Sequence, residues 1–333
     1  MSSRRRSVTS GDVARHAGVS QSAVSLVISG KSGTRVSAST AERIRQSAAE
    51  LGYSPNHAAV MLRTGVAPTL ALAVPTLTQP FFSSVLVAAE RRARAFGYSM
   101  ILLDSGSDEK WVSSLSSMLR GGVLAGAIAY APTEPEARIL ADTGFSVVLA
   151  DIELEGSTSI RFDFSEGAKQ AAGHLADLGH TRIAYLAASS ERETYRLRLQ
   201  AFSQEVAARG GQVVAIEHSA SLEFDDAVGA GARLLALGAG FSAVMCDDDL
   251  LAAAMVKAAG VGRVPSSLSV IGVGDIELSR MLTPELTTVE LSAAAMGSGA
   301  IDLILESGEN AGAVQLSIPS KLIVRGSTGP ASR

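Results

Sequence analysis

The sequence predicts an α/β chain in unequal parts: a small all-α head, a helical hinge, and a doubly wound parallel core of two lobes. Three observations predict it. Helical spacing recurs through the first 65 residues. From Val66 onward, continuous aliphatic runs alternate with Ala-rich helical stretches, as strands covered on both faces require. Charge divides at the same place: the first 65 residues carry +6 and the remainder −10, a split hidden in the overall −4. A cationic head on an anionic body points to nucleic acid as the partner of the head alone.

A length of 333 residues suits two or three domains, and a hydrophobic content of 47% excludes global disorder. Aromatics make up only 5%, so the interior must be built from Ala, Val, Leu and Ile. The single cysteine, Cys246, excludes an internal disulfide or a multi-cysteine zinc site, and within its apolar run it reads as a small buried hydrophobe. Arg4 to Arg6 are followed by no apolar stretch, and no run approaches the roughly 20 apolar residues that span a bilayer. Together these features predict a cytoplasmic protein without membrane contact.

In the head, Gly11 to Ala17 place Val13, Ala14 and Ala17 on one helical face. Gly18 allows a tight turn, and Ser20 is a suitable N-cap for a second helix, Gln21 to Ser29, with Val24, Val27 and Ile28 inward. Small residues, a turn glycine and locking aliphatics in this order predict a helix-turn-helix. Gln21, Ser22 and Ser25 on the outer face can hydrogen-bond base edges in a major groove. Ser37 caps a third helix that ends at Gly52. Pro55 breaks the chain, and Asn56 to Arg63 is long enough only for a helix that forms when docked, which suits a hinge.

The body offers eight strand candidates in two sets of four: 69–74, 98–103, 126–130 and 146–150, then 181–187, 212–216, 243–246 and 268–273. Helices are expected at 83–96, 111–120, 165–178, 196–209, 227–237 and 250–259. Ligands settle in loops at the carboxyl ends of parallel strands, so a cleft between the lobes is the expected site. Phe82 ends one such loop and could cover an apolar ligand face. Asp163 either caps a helix or accepts a ligand hydroxyl. Asp247, Asp248 and Asp249 are chain neighbours that cannot all point into one metal coordination sphere. Helix capping with one ligand contact from Asp248 is the favoured reading. Asp275 follows the next strand. No nucleophile elbow, metal-ligand spacing or Lys-bearing Gly-rich loop is present, so no enzyme, cofactor or metal site is expected.

The string Asp12-Val13-Ala14-Arg15-His16-Ala17-Gly18-Val19-Ser20, with Ala23-Val24-Ser25, Val36-Ser37, Leu51-Gly52-Tyr53-Ser54-Pro55-Asn56 and Leu62-Arg63-Thr64-Gly65, resembles the lactose-repressor (LacI/GalR) family of bacterial transcription regulators. Gln79-Pro80-Phe81-Phe82, Gly173-His174-Leu175 and Pro284-Glu285-Leu286-Thr287-Thr288 extend the resemblance through the body. It implies a periplasmic-binding-protein-like core that forms a homodimer and closes on a small effector, a sugar or sugar derivative among the candidates. It implies a repressor acting at a near-palindromic double-stranded operator. Gln21, Ser22 and Ala23 would face the major groove, Asn56 would steady the backbone, and Leu62 would wedge into the minor groove beside Ala59. Arg198 matches the family's effector-gripping arginine, whose forked donors suit hydroxyls or a carboxylate. Four departures stand out. Ser29 to Arg35 is a little longer than the family's usual turn. Leu26 replaces the usual polar residue of the recognition helix. Gly274 replaces the first of a usual Asp pair, with Asp275 the second. Leu222 stands where sugar binders often place a Trp.

The expected DNA-facing set is therefore Ser20, Gln21, Ser22, Ala23, Ser25, Leu26, Asn56, Ala59 and Leu62. The expected effector set is Phe82, Asp163, Arg198, Asp248 and Asp275. The expected domains are residues 1–54, a hinge over 55–65 and a body over 66–333. Within the body, lobe one covers about 66–161 and 291–325, and lobe two about 162–290. The alternative function is a solute-binding receptor of a transport system; an enzyme using the 247–249 carboxylates is a third reading.

Overall fold

A computed structural model describes residues 8–28, 36–53, 65–188, 192–306 and 312–331. The expected hinge, with Asn56, Ala59 and Leu62, lies outside the described residues.

Three short helices form the head: α1 (Ser10–Ala17), α2 (Gln21–Ile28) and α3 (Ala38–Glu50). A capping box starts α1, with Thr9 N donating to Asp12 Oδ2 at 2.9 Å and Asp12 N donating to Thr9 Oγ1 at 3.3 Å. Gly18 ends it in the left-handed region, φ +64°, where a side chain would strain the turn. Ser20 Oγ accepts from Ala23 N at 3.2 Å and so caps α2 as the sequence predicts, and Ser37 caps α3 through Thr40 N at 3.2 Å. Val13, Val24 and Ile44 are fully buried at the centre of this unit, ringed by Ala14, Ala17, Val27, Ala41 and Ala48.

The body holds two six-stranded sheets. Lobe one contains β1 (Thr69–Val74), β2 (Ser99–Asp104), β3 (Gly126–Tyr130), β4 (Val147–Ala150), β5 (Ser159–Asp163) and β11 (Gln315–Pro319), in the order β11-β5-β4-β3-β1-β2 and parallel throughout. Lobe two contains β6 (Arg182–Ala187), β7 (Gln212–His218), β8 (Ala243–Cys246), β9 (Ser269–Gly274), β10 (Thr287–Glu290) and β12 (Lys321–Ile323), ordered β12-β10-β9-β8-β6-β7 with only β12 antiparallel. Helices α4 (Pro80–Ala95), α5 (Trp111–Arg120) and α6 (Glu134–Ala141) cover lobe one. Helices α7 (Ser165–Asp177), α8 (Glu193–Ala208), α9 (Phe224–Ala236), α10 (Asp249–Ala259) and the short α11 (Leu278–Met281) cover lobe two. Then α12 (Ala293–Glu306) returns to lobe one and packs along α4.

All eight expected strands are present within two residues at each end, but four more exist. The four unforeseen strands lack a continuous apolar run. In β5 the run is broken by the exposed Arg161, β10 is Thr-Thr-Val-Glu, β11 is an edge strand exposed on one face, and β12 has three residues. The lobe boundary also differs from the expected residue 325. Lys321–Ile323 pairs with β10 of lobe two, and Ser327 and Gly329 hydrogen-bond to Val270 and Ser269 of that lobe. The chain therefore crosses between lobes three times: after β5, after β10 and after β11. Ser320 Oγ donates to the Asp163 carbonyl at 2.7 Å, tying two of these crossings together.

Candidate functional site

The carboxyl ends of the two sheets face each other across a cleft of about 580 Å³. Lobe one contributes the loop after β1, then Tyr130 and Ala131 after β3 and Asp151 after β4. Lobe two contributes the start of α8, the loop from Ala220 to Phe224, and Asp248 after β8. Ala131 and Asp151 hold left-handed backbone, φ +45° and +60°, so the ends of β3 and β4 are strained where they meet the cleft.

Arg198 is the buried cation of this site. Its Nη1 donates to the Asp247 carbonyl at 3.1 Å, and its guanidinium lies 5.2 Å from the Tyr195 ring centre and 5.9 Å from that of Phe164. Burial is the largest single effect and works against its charge, but Asp151, Tyr195, Asp247 and Tyr130 together outweigh it and its pKa moves up. Asp151 is pushed up by its own burial, against the pull of Arg198 and of hydrogen bonds from Thr194 and Tyr130.

The three consecutive aspartates diverge, as expected. Asp247 takes the Tyr185 hydroxyl at 2.5 Å and Ala188 N at 2.9 Å. Asp248 caps α10, with Oδ1 accepting from Leu250 N at 2.7 Å and Oδ2 accepting from Gln79 Nε2 of lobe one at 2.7 Å. Asp249 is fully buried and accepts from Thr288 Oγ1 at 2.6 Å, Ser279 Oγ at 2.8 Å and Ile276 N at 3.0 Å. Burial pushes Asp248 up to about 6 and Asp249 up to about 7. Among the described residues, no three His, Cys, Asp or Glu side chains converge as a metal-ligand set.

Of the expected effector residues, Phe82, Arg198 and Asp248 line the cleft, as does Leu222. Asp163 and Asp275 do not. Asp163 Oδ1 takes Ser165 N at 2.9 Å and Ser165 Oγ at 2.6 Å, the capping alternative, and these bonds draw its pKa down. Asp275 is bonded at 2.5 Å to Arg325, whose other nitrogen holds the Leu286 carbonyl, so this carboxylate fastens the carboxyl-terminal segment instead of facing the cleft. The sequence reading missed Gln79, Tyr130, Asp151, Thr194 and Phe224. Asp151 follows a strand as Asp248 does, and the same loop rule applied to β4 would have found it.

Outside the cleft, Cys246 is the small buried hydrophobe the sequence suggests, and His180 is structural too. His180 is buried between Ser242, Ser269 and the Gly329 carbonyl, and Cys246 is fully buried. Trp111 is core, its Nε1 donating to Glu136 at 2.7 Å. In the head, Ser20, Gln21, Ser22 and Ser25 are exposed along one side of α2, while Ala23 and Leu26 are half-buried. Gln21 Nε2 donates to Ser10 Oγ at 2.8 Å, and the Ser20 and Ser22 hydroxyls lie 2.9 Å apart.

Comparison with known proteins places both parts. Residues 10–56 match the family described as bacterial regulatory proteins, lacI family, and residues 172–328 match the periplasmic binding protein-like domain. The head thus matches a lacI-family domain and the body a periplasmic binding protein-like domain. The HTH-type transcriptional repressor PurR of Mannheimia succiniciproducens is 29% identical over 325 residues, covering 94% of this chain and 96% of that protein. The ribose operon repressor of Escherichia coli K12 is 29% identical over 302 residues, 88% of this chain and 91% of its own. The lac repressor dimer bound to operator and the anti-inducer ONPF superposes with a TM-score of 0.76 at 25% identity, over 97% of this chain and 100% of its own. The CelR–cellobiose complex superposes at 0.71 and 25% identity, over 96% and 99%. The chain thus pairs a DNA-binding head of the lacI type with an effector-binding body of the periplasmic-binding-protein type. No helix among its described residues is long and apolar enough to cross a membrane.

Proposed function

We propose that this protein is a homodimeric repressor in the cytoplasm that binds a near-palindromic operator, and that a small molecule in the interlobe cleft sets its affinity for DNA. The observation that carries this reading is the junction, in one chain, of a helix-turn-helix presenting Gln21, Ser22 and Ser25 to solvent and a two-lobed body with Arg198 and Asp248 at its cleft. Its output is occupancy of DNA, not turnover of the ligand.

The head docks the amino-terminal half of α2 in the major groove. Gln21 and Ser22 read base edges, Ala23 and Leu26 offer apolar contact to thymine methyls, and Ser20 and Ser25 hold the backbone. Asn56, Ala59 and Leu62 serve the hinge, with Leu62 as the minor-groove wedge. In the cleft, Arg198 grips an acceptor of the effector, Asp248 takes a donor, and Phe82 packs on an apolar face. Effector binding biases the angle between lobes, and through the dimer it biases the hinge. Coupling of this kind is typically about 1–3 kcal/mol.

The test is selection of operator DNA by the full chain from random duplexes, followed by binding of Leu62→Ala to the selected sequence. Sequence-selective binding that weakens with salt, and weakens further in the variant, is expected. Equal affinity for selected and random DNA would overturn the regulator reading; equal binding by Leu62→Ala would remove only the wedge.

A further inference from the structure

The linker between the expected hinge and lobe one lies on a turn that leaves no room for a side chain. Gly65 is the first described residue after the hinge, and Thr69 opens β1. Between them Ala67 N donates to the Gly122 carbonyl at 2.8 Å, in the turn that joins α5 to β3. That turn closes on the end of α5: Gly122 N donates to the Leu119 carbonyl at 3.0 Å, and Val123 N to the Met118 carbonyl at 2.9 Å. Gly122 is left-handed, φ +68°, and a Cβ placed on it would lie 2.3 Å from the Gly65 carbonyl oxygen. The obstacle is backbone, so no change of rotamer relieves it and the linker itself must move. Gly144, in the turn between α6 and β4, has nearly the same backbone, φ +72°, yet a Cβ there would meet nothing within 4 Å. Backbone conformation accounts for Gly144; at Gly122 the linker adds a second demand. The turn is also fixed to the rest of lobe one. Ala125 N donates to the Thr69 carbonyl at 2.8 Å. At the far end of α5, Trp111 is held by Glu136, whose Oε2 accepts from Thr133 N at 2.8 Å, just beyond the cleft-lining Ala131.

We infer that the Gly122 turn is the seat from which lobe one positions the linker, and that Gly122 is a positioning residue for operator binding. This rests on the regulator reading above. A dimer that reads two half-sites must hold its two heads at the spacing of those sites. The seat sets where each linker leaves lobe one, and so where each head can reach. Displacing the linker from Gly122 changes that starting point without touching a residue of the helix-turn-helix. Binding to random DNA is mainly attraction between basic side chains and phosphates, and it needs no fixed spacing. The seat therefore matters for specific binding and not for random binding.

The experiment uses the full chain, the operator duplex selected from random sequences, and a random duplex of the same length. Gly122→Ala is compared with Gly144→Ala, which carries the same left-handed strain without the clash. Both are expected to lower the main melting temperature. Gly122→Ala is expected to bind the operator about tenfold more weakly and the random duplex as the parent does, whereas Gly144→Ala should bind both like the parent. Gly122→Asn separates clash from strain, because asparagine tolerates left-handed backbone but still carries a Cβ. It is expected to lose operator affinity as Gly122→Ala does, with a smaller fall in melting temperature, and it serves in place of Gly122→Ala should that variant not fold. Operator binding by the Gly122 variants equal to that of Gly144→Ala would overturn the seat and leave the regulator reading standing. An equal loss on operator and random DNA would also overturn it, since the fault would then lie in the head. A parent chain that prefers no selected sequence over random DNA would overturn the regulator reading, and the seat with it.

Discussion

The head and the body place their polar groups in opposite ways. In the head, the groups that matter stand in water: Gln21, Ser22 and Ser25 project from α2, and its ion pairs, such as Arg45 with Glu42, are exposed. In the body, the charged residues that matter are inside. Arg198, Asp247, Asp248 and Asp249 are all less than a tenth exposed and are held by specific donors or acceptors. A surface that reads DNA needs free donors on a rigid support, and the head supplies both with three short helices. A cleft that responds to a ligand needs two arrangements of similar energy, and buried polar ties between lobes can provide them. The head is therefore expected to fail by losing its core, and the body by losing its polar ties.

The largest effect expected from this difference comes from the two cores. Among the described residues the head has one cluster of eight buried side chains, centred on Ile44, and a unit this small has little stability in reserve. Ile44→Ala should cost about 2–5 kcal/mol, comparable to the whole stability of the head. Ile128→Ala in lobe one removes a residue buried to the same degree from a much larger cluster. The first variant is expected to lose operator binding while the main melting transition and its response to ligand persist. The second is expected to lower that transition and keep DNA binding at lower temperature. Loss of both activities in Ile44→Ala would break the proposed independence of head and body.

The same contrast explains what could be read from the chain. The head was legible because its helices, caps and exposed face are contiguous: Gly18, Ser20 and Ser37 mark boundaries, and each contacts residues within a few positions; the Thr9 cap of α1 was not read. In the body, strands with continuous aliphatic runs were legible and those carrying Arg161 or the Thr287-Thr288 pair were not. The cleft was half legible. Phe82, Arg198 and Asp248 could be placed because they follow strands or match a family motif. Asp163 and Asp275 also follow strands, but side-chain direction decided their fate. Asp163 turns onto the first turn of its own helix, and Asp275 meets Arg325, which reaches lobe two only through a third crossing invisible in the local pattern. The tie between Gln79 and Asp248 spans 169 positions and has no local signature.

A smaller effect, confined to the body, is its dependence on pH. Asp249, ordinarily at 3.8, sits at about 7 in the folded chain, chiefly through burial. Between these values the folded state holds a proton that the unfolded state has lost, so this group's contribution is greatest below pH 4 and is lost as pH rises toward 7. That gap bounds the effect at about 4 kcal/mol. Asp248 acts in the same sense up to about 6. His174 and His180, pushed below 6.5 chiefly by burial, act oppositely as pH falls. Subtracting an Asp249→Asn variant isolates the aspartate: the parent should gain stability relative to the variant as pH falls from 8 to 5, measured by urea melts. A difference independent of pH would mean that Asp249 is ionised in the fold.

The smallest effect sharpens the comparison through two glutamines. Gln21 in the head bonds to Ser10 in the open, at 2.8 Å; Gln79 in the body bonds to Asp248 across the cleft and is buried, at 2.7 Å. Gln21→Ala should leave ligand-free scattering unchanged and cost about 1–3 kcal/mol of operator affinity, because a base contact is lost. Gln79→Ala should do the reverse. A hydrogen bond to a charged acceptor is worth about 1.5–3 kcal/mol, less where cleft water can replace the donor, so about 1 kcal/mol of closure is at stake. That would shift the ratio of closed to open lobes about fivefold, since each 1.4 kcal/mol is a factor of ten in an equilibrium constant. Small-angle scattering of the ligand-free chain should then show a larger radius of gyration. Operator affinity should change only through the cleft, and so by less than in Gln21→Ala. If Gln79→Ala scatters like the parent, the bond is a passenger of closure, and the Thr194–Asp151 tie must hold the lobes instead.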